Sequence, residues 1–195
     1  MSTFTLASTA VSDKSSTPLS AFELQAARRQ LSAFVDAQAD DLAARLGFGR
    51  APVVAAPSTY QQLRGALDRS LTTKDPLPVS SENSATVIYD RPEVNFAFRF
   101  WHDVSHVQHG LSFSLEDELE LALWHLGVLE HGGLSPESLA YRLFQADVLG
   151  QLLLMGLAGR FPFDQEKFVI GCVVLGLDQG LLAEIRRTPG EARDE

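Results

Sequence analysis

The chain has 195 residues, a hydrophobic fraction of 45% and a charged fraction of 21%, which is the composition of a globular protein with enough apolar side chains for one sizeable core. Cys172 is the only cysteine, so an intramolecular disulfide is excluded. The N-terminal segment lacks the basic and apolar regions of a secretory signal, and no apolar run approaches the ~20 residues of a membrane-spanning helix. We therefore expect a cytoplasmic protein without membrane association.

The formal net charge of −9 is concentrated in one segment. Residues 101–150 carry eight acidic side chains and one basic side chain, Arg142, whereas the rest of the chain is nearly balanced. No basic stripe is present to neutralise phosphates, which disfavours direct binding of nucleic acid. A negative segment of this kind suits a metal cation or a basic protein partner, and a solvated acidic surface is the simplest alternative.

The first part of the chain predicts a tail followed by two helices. Residues 1–19 are rich in Ser, Thr and Ala and predict a disordered tail. A capping-box pattern begins at Ser20, and apolar residues recur at helical spacing from there to Leu46. A second capping box at Ser58 predicts the start of a shorter helix.

The middle of the chain allows two interpretations. The β-branched run ATVIY predicts a short strand near 86–89. The segment from Asp90 to Gly110 then has a helix-start signal, apolar residues at helical spacing and a terminating glycine, so we predict a helix. Alternating phenylalanines also fit a strand at 95–100, which stays open as the alternative.

The second half of the chain predicts three more helices. Ser114 begins a helix that two glycines end after residue 131. Ser135, followed by proline and glutamate, begins a strongly apolar helix to about Ala158. Asp164 begins the last helix.

Together these patterns predict a mainly α fold. We expect a single-domain helical bundle of about six helices in residues 20–188, with one short strand and a disordered N-terminal tail. The apolar helices at 136–158 and 165–187 are expected at its centre. The polar segment 189–195 predicts a frayed C-terminus.

The segment FRFWHDVSHVQH holds three of the five histidines, at His102, His106 and His109. On a helix these three positions share one face. The spacing of four residues lets two imidazoles bind one metal ion, so His102 and His106 are candidate ligands. His109 or Asp103, which directly follows His102, is a possible third ligand or orienting partner.

Carboxylates from the following helices are candidates to complete this site. Glu118 and Glu120 point to different faces of their predicted helix, so at most one can converge on the histidines, and Glu120 is taken as the candidate ligand. Asp147 lies among apolar residues of its predicted helix, where an unpaired carboxylate is costly. Gln151 shares its face, and we expect Arg99, Arg142, a histidine or a metal to satisfy the pair.

The spacing of His102 and His106 is similar to that of the H-E-x-x-H metallopeptidases. Asp103 stands where those enzymes have the general-base glutamate, and its side chain is one methylene shorter. The glycine and third histidine of the metzincin pattern are missing at their spacings. This departure disfavours peptidase activity.

The doublet of His102 and Asp103 resembles that of the HD-type metal phosphohydrolases, which are helical. The resemblance implies hydrolysis of a phosphoester at a metal centre. Such sites also use a histidine upstream and an aspartate downstream. No histidine precedes His102 in this chain, and Asp147 is the candidate downstream aspartate.

Two functional classes follow from these observations. The first is a metal-dependent hydrolase with a divalent ion, zinc or another transition metal, held by His102, His106, His109, Glu120 and Asp147, and with Asp103 as the catalytic residue. The second is a non-enzymatic interaction module, an adaptor or inhibitor, that uses the acidic 101–150 surface. In that second class the histidines are structural residues at the edge of the core.

Overall fold

The helical periodicity of the sequence produces a mainly α protein, as predicted. The computed structural model describes residues 19–82, 84 and 86–188, and 68% of these residues are helical. The predicted tails at 1–19 and 189–195 lie outside the described residues, except for Leu19. Within the described part, no helix combines the length and the apolar character that crossing a membrane requires.

The helices and strands follow one another along the chain with short connections. The helices are α1 (Ala21–Leu46), α2 (Tyr60–Thr73), α3 (Glu93–His109), α4 (Leu115–His131), α5 (Leu139–Phe144), α6 (Gly150–Ala158), α7 (Gln165–Leu175) and α8 (Leu177–Arg186). A π-helical turn, Gln145–Leu149, joins α5 and α6 into one continuous helical segment. Two strands, β1 (Arg50–Val53) and β2 (Leu77–Ser80), pair in parallel.

The predicted capping residues explain where α1 begins and ends. Ser20 Oγ accepts a hydrogen bond of 3.2 Å from the Glu23 backbone N–H, and Glu23 Oε2 accepts one of 3.1 Å from the Ser20 N–H. Gly47 ends the helix in the left-handed conformation, with φ of 78°, which costs glycine less than any other residue. For α2 the cap is Thr59, one residue after the predicted Ser58.

The predicted strand at 86–89 is wrong. The strands lie on either side of α2 instead, and residues 86–89 form an irregular connection whose apolar side chains are buried. Side chains of α1 bond to this connection and to the residue after it, since Arg28 Nε donates to the Val87 carbonyl at 2.8 Å and Ser32 Oγ accepts from the Asp90 N–H at 3.0 Å. The alternative strand at 95–100 is also wrong, since this segment belongs to α3.

The last two predicted helices differ from the structure in detail. The apolar helix begins after Ser138, whose side chain caps it, and not at Ser135. The final predicted helix is broken at Gly176, whose φ of 93° and ψ of 152° separate α7 from α8. The chain thereby folds back, and the two helices pack closely against each other.

The core is formed by apolar faces from most of the helices. Phe100 on α3 and Phe144 on α5 are fully buried, as are Leu31 and Val35 on α1. Helix α3 packs on α1 through one face and contacts α4 through another. This arrangement places the histidine face of α3 at the edge of the core, beside α4.

Gly180 allows the close contact between α7 and α8. A Cβ at this position would lie 2.5 Å from Cys172 Cα and 2.7 Å from the Cys172 backbone nitrogen. We expect Gly180→Ala to reduce the free energy of unfolding by about 1–3 kcal/mol, because backbone must move to accept the methyl group. The measurement is urea unfolding followed by circular dichroism.

Gly171→Ala is the matched control on α7, because a Cβ there meets no atom within 4 Å. Alanine favours the helical backbone over glycine, so this variant should be more stable by about 0.5–1 kcal/mol. Equal effects of the two substitutions would contradict the proposed close contact.

Candidate metal centre

Helices α3 and α4 bring two histidines and one glutamate together. His102 and His106 lie one turn apart on α3, and Glu118 lies in the first turn of α4. Their two Nε2 atoms are 3.0 Å apart, and each lies 3.4 Å from one carboxylate oxygen of Glu118. Each residue therefore offers one ligand atom to a common point.

These separations fit the coordination shell of a small divalent ion. Zinc binds nitrogen and carboxylate oxygen at about 2.0–2.1 Å, which puts the ligand atoms of a tetrahedral site roughly 3.3 Å apart. Two imidazoles and one carboxylate are a ligand set that proteins use for zinc and for non-haem iron. The remaining coordination positions are left to water or substrate.

His106 is oriented by the turn that follows its helix. Gly110 ends α3 with a left-handed φ of 71°, and this reversal brings the Leu111 carbonyl oxygen to 3.1 Å from His106 Nδ1. A carbonyl oxygen only accepts, so the proton of the neutral ring lies on Nδ1. The unprotonated Nε2 atom therefore faces His102 and Glu118.

His102 is oriented by a histidine that the sequence patterns did not single out as functional. His102 Nδ1 lies 3.2 Å from Nε2 of His125, which is fully buried. Burial, together with the charges of the nearby histidines, lowers the pKa of His125 well below its usual value. The spacing from Glu118 to His125 is seven residues, which places both on one face of α4, and this spacing was the available signal.

Glu118 is the ionised partner of the two α3 histidines. Partial burial raises the pKa of Glu118, but its contacts with His102 and His106 outweigh this effect and lower the pKa to about 2. The carboxylate is therefore charged at neutral pH. A charged oxygen ligand strengthens binding of a divalent cation.

Asp103 lies beside the cluster without belonging to the group of converging ligand atoms. Burial raises the pKa of Asp103 to about 6, while electrostatic interaction with His102, His106 and Arg99 acts in the opposite direction and Glu118 adds to the increase. Asp103 is thus close enough to the cluster for its pKa to depend on the charges of His102, His106 and Glu118.

The centre is buried on one side and reaches solvent on the other. The His106 side chain is fully buried, whereas 18% of the His102 side chain and 24% of the Glu118 side chain are exposed. The ring of Phe113, itself 37% exposed, packs edge-on against His106 with 4.9 Å between ring centroids. The cluster therefore lies at the boundary between the core and solvent.

Two of the predicted ligands lie outside the converging group. His109 is at the exposed end of α3 and its ring packs on Trp124, with 4.6 Å between centroids. Glu120 is exposed two residues beyond Glu118, and a step of two residues turns a helical side chain to a different face. The carboxylate from this helix that meets the histidines is Glu118.

Asp147, the other predicted ligand, is satisfied by two amides in a different place. Its Oδ1 atom accepts hydrogen bonds from Gln151 Nε2 at 2.8 Å and from Gln165 Nε2 at 2.6 Å. Both predicted arginine partners donate elsewhere, since Arg99 donates to the Ser80 carbonyl and Arg142 to the Val173 carbonyl. Burial raises the pKa of Asp147 to about 6, although the two amide hydrogen bonds lower it.

Several acids of segment 101–150 are engaged within the fold. Asp117 accepts from the Ser112 N–H at 2.8 Å, and Glu130 accepts from the Tyr141 hydroxyl at 2.7 Å. With Glu118 in the histidine cluster and Asp147 bonded to two glutamines, the negative charge is divided among separate contacts. A basic protein partner stays a prediction.

Comparisons of this chain with protein-family models, with curated proteins and with solved structures return no match. The geometry of the centre itself is therefore the basis for inferring a function.

The raised pKa of Asp147 predicts a pH dependence of stability. An acid whose folded pKa is about 6 against an ordinary value of 3.8 binds its proton more tightly in the folded state. Its contribution to stability is therefore lost as pH rises from about 4 to 6. We expect Asp147→Asn to remove this loss and to be more stable than wild type above pH 6 by about 1–3 kcal/mol.

The measurement is urea unfolding of both metal-free proteins at several pH values, and the quantity of interest is the difference between them. The asparagine oxygen can still accept from both glutamines, so packing is retained. A difference that is constant from pH 4 to 7 would contradict the raised pKa.

Proposed function

We propose that this chain binds a divalent transition-metal ion through Nε2 of His102, Nε2 of His106 and the carboxylate of Glu118. The observation that carries the proposal is the convergence of the two Nε2 atoms, 3.0 Å apart, on the Glu118 carboxylate, whose two oxygens each lie 3.4 Å from one of these nitrogens. Zinc is the first candidate, because two imidazoles and a carboxylate suit its preference for nitrogen and oxygen ligands.

The geometry of the cluster suits a bound cation as well as a hydrogen-bonded arrangement. A protonated His106 ring donates from Nε2 to Glu118 Oε1, 3.4 Å away, whereas a neutral ring with its proton directed at the Leu111 carbonyl presents a lone pair to the same oxygen. Two acceptors that face each other repel, whereas a cation between them is attracted to both. The partly buried position strengthens this attraction relative to bulk water.

The proposal extends to hydrolysis of a phosphoester. Three protein ligands leave a coordination position open, which is typical of catalytic rather than structural zinc sites. The exposed parts of His102 and Glu118 give this position access to solvent. A bound ion would lower the pKa of a coordinated water towards 7, and the doublet of His102 and Asp103 resembles that of metal phosphohydrolases.

Asp103 is the proposed general base. Its carboxylate accepts a proton from the attacking water, the water oxygen forms a bond to phosphorus, and the ester P–O bond breaks. The proton then passes to the leaving alcohol oxygen, so atoms and charge balance. The position of Asp103 directly after His102 supports this role. The cytoplasmic location expected from the sequence stays a prediction.

Removing a ligand should remove the metal. We expect His102→Ala, His106→Ala and Glu118→Gln each to weaken Zn²⁺ binding by more than about 100-fold, because each removes one of three ligand atoms. The measurement is competition with a chelating dye, together with elemental analysis of protein purified under metal-replete conditions.

His109→Ala and Glu120→Gln are the matched controls and should bind Zn²⁺ as the wild type does. Circular dichroism checks that every variant stays helical. A wild-type stoichiometry near zero would overturn the metal proposal, and equal loss of binding in the controls would overturn this choice of ligands.

Hydrolysis has its own test. Zn²⁺-loaded wild type should release p-nitrophenolate from p-nitrophenyl phosphate or from bis(p-nitrophenyl) phosphate. Asp103→Asn should lower kcat by about 100-fold or more and keep the metal, because the base is lost while the three ligands stay. The measurement is initial rate, with metal content determined on the same samples.

Inactivity of the fully metal-loaded wild type on both esters would overturn the hydrolase proposal and leave metal binding intact. An Asp103→Asn variant as active as wild type would exclude Asp103 as the base.

A further inference from the structure

His125 is a fully buried histidine behind the proposed centre. Its ring stands edge-to-face against Trp101 at 4.2 Å and against Trp124 at 5.0 Å between centroids, and it also packs against Phe98 at 5.6 Å. Its Nε2 atom lies 3.2 Å from His102 Nδ1. Its Nδ1 atom is buried and has no hydrogen-bond partner among the described residues.

Packing alone does not account for a histidine at this position. The surroundings are aromatic, and an apolar side chain would fill such a space without leaving a polar atom unpaired. A buried imidazole with one unpaired nitrogen is therefore kept at a cost in stability. The one polar contact that offsets this cost is the contact with His102.

That contact matters because of the proton on His102. A neutral imidazole binds a metal through Nε2 only when its proton is on Nδ1, and that N–H group needs an acceptor in a buried place. His125 Nε2 is the acceptor within reach of His102 Nδ1. The Leu111 carbonyl performs the same task for His106.

We propose that His125 is a positioning residue that holds the His102 ring in the orientation and tautomer that metal binding requires. The proposal rests on the metal-binding function proposed for His102, His106 and Glu118. His125 then belongs to the proposed centre without being a metal ligand. His125 on α4 orients His102, and the backbone after Gly110 orients His106.

Two substitutions of His125 separate positioning from packing. His125→Gln keeps an amide oxygen close to the place of Nε2, so it can still accept from His102. His125→Leu fills the apolar space and accepts nothing. His131→Leu is the control, because His131 is exposed at the end of α4 and its Nδ1 lies 2.6 Å from the Gly127 carbonyl of its own helix.

Co²⁺ is the probe, added to each full-length protein and followed by visible absorption. We expect His125→Leu to weaken Co²⁺ binding by about 10–100-fold, His125→Gln to stay within a few fold of wild type, and His131→Leu to be unchanged. The melting temperature of metal-free His125→Leu should be no lower than that of metal-free wild type, because the substitution removes an unpaired buried nitrogen.

The tautomer gives a second readout that does not depend on folding of the leucine variant. In zinc-loaded wild type, ¹⁵N-resolved NMR of the imidazoles should show a proton on His102 Nδ1 that is protected from exchange and hydrogen-bonded to His125 Nε2. In zinc-saturated His125→Gln the proton stays on Nδ1 with an oxygen acceptor.

The possible failures are distinguishable. If wild type binds neither Zn²⁺ nor Co²⁺, the proposed metal function fails and this inference fails with it. If wild type binds and His125→Leu binds equally well, only the inference fails. A proton found on His102 Nε2 in the zinc-loaded protein overturns both the tautomer and the positioning role.

Discussion

The hydrogen bond between His106 Nδ1 and the Leu111 carbonyl, 3.1 Å long, is the contact on which the proposed centre depends. It exists because Gly110 reverses the chain with a positive φ at the end of α3, a conformation that glycine adopts readily. The same reversal begins the connection that places Glu118 in the first turn of α4. Gly110 therefore contributes both to the orientation of His106 and to the turn that leads into α4, where Glu118 lies.

Among the described residues, burial raises the pKa of two carboxyl groups, Asp103 and Asp147, to about 6, and the two groups have different kinds of neighbours. Asp147 lies on the π-helical turn and receives two hydrogen bonds from neutral amides, so its proton affects mainly stability. Asp103 responds to two histidines, an arginine and a glutamate, so its protonation is coupled to the charge of the centre. Burial raises both pKa values, but the proton on Asp147 affects stability, whereas the proton on Asp103 affects the charge of the proposed centre.

Local patterns predicted most of the helices and half of the site. Capping residues and apolar spacing are properties of adjacent residues, which is why α1, α3 and α4 could be predicted, together with His102 and His106 on one face. The contribution of Glu118 and His125 to the site depends on how α3 and α4 pack. Their seven-residue spacing on α4 could therefore be interpreted only when that packing was known. Val87 and Ile88 resemble a strand because they are apolar and β-branched, but this segment bonds to side chains of α1 through the Val87 carbonyl and the Asp90 N–H, and not to a neighbouring strand.

The position of the cluster at the edge of the core suits both binding and access. Aromatic rings from α3 and α4 cover the back of His102 and His125, which excludes water there and lowers the local dielectric, so the attraction between a cation and Glu118 is screened less than in water. The exposed parts of His102 and Glu118 provide the entry path that an ion needs. A fully buried cluster would hold an ion strongly but admit none, and a fully exposed one would lose affinity to water. The interface between α3 and α4 lies between these limits, and for that reason the proposed function is assigned to it.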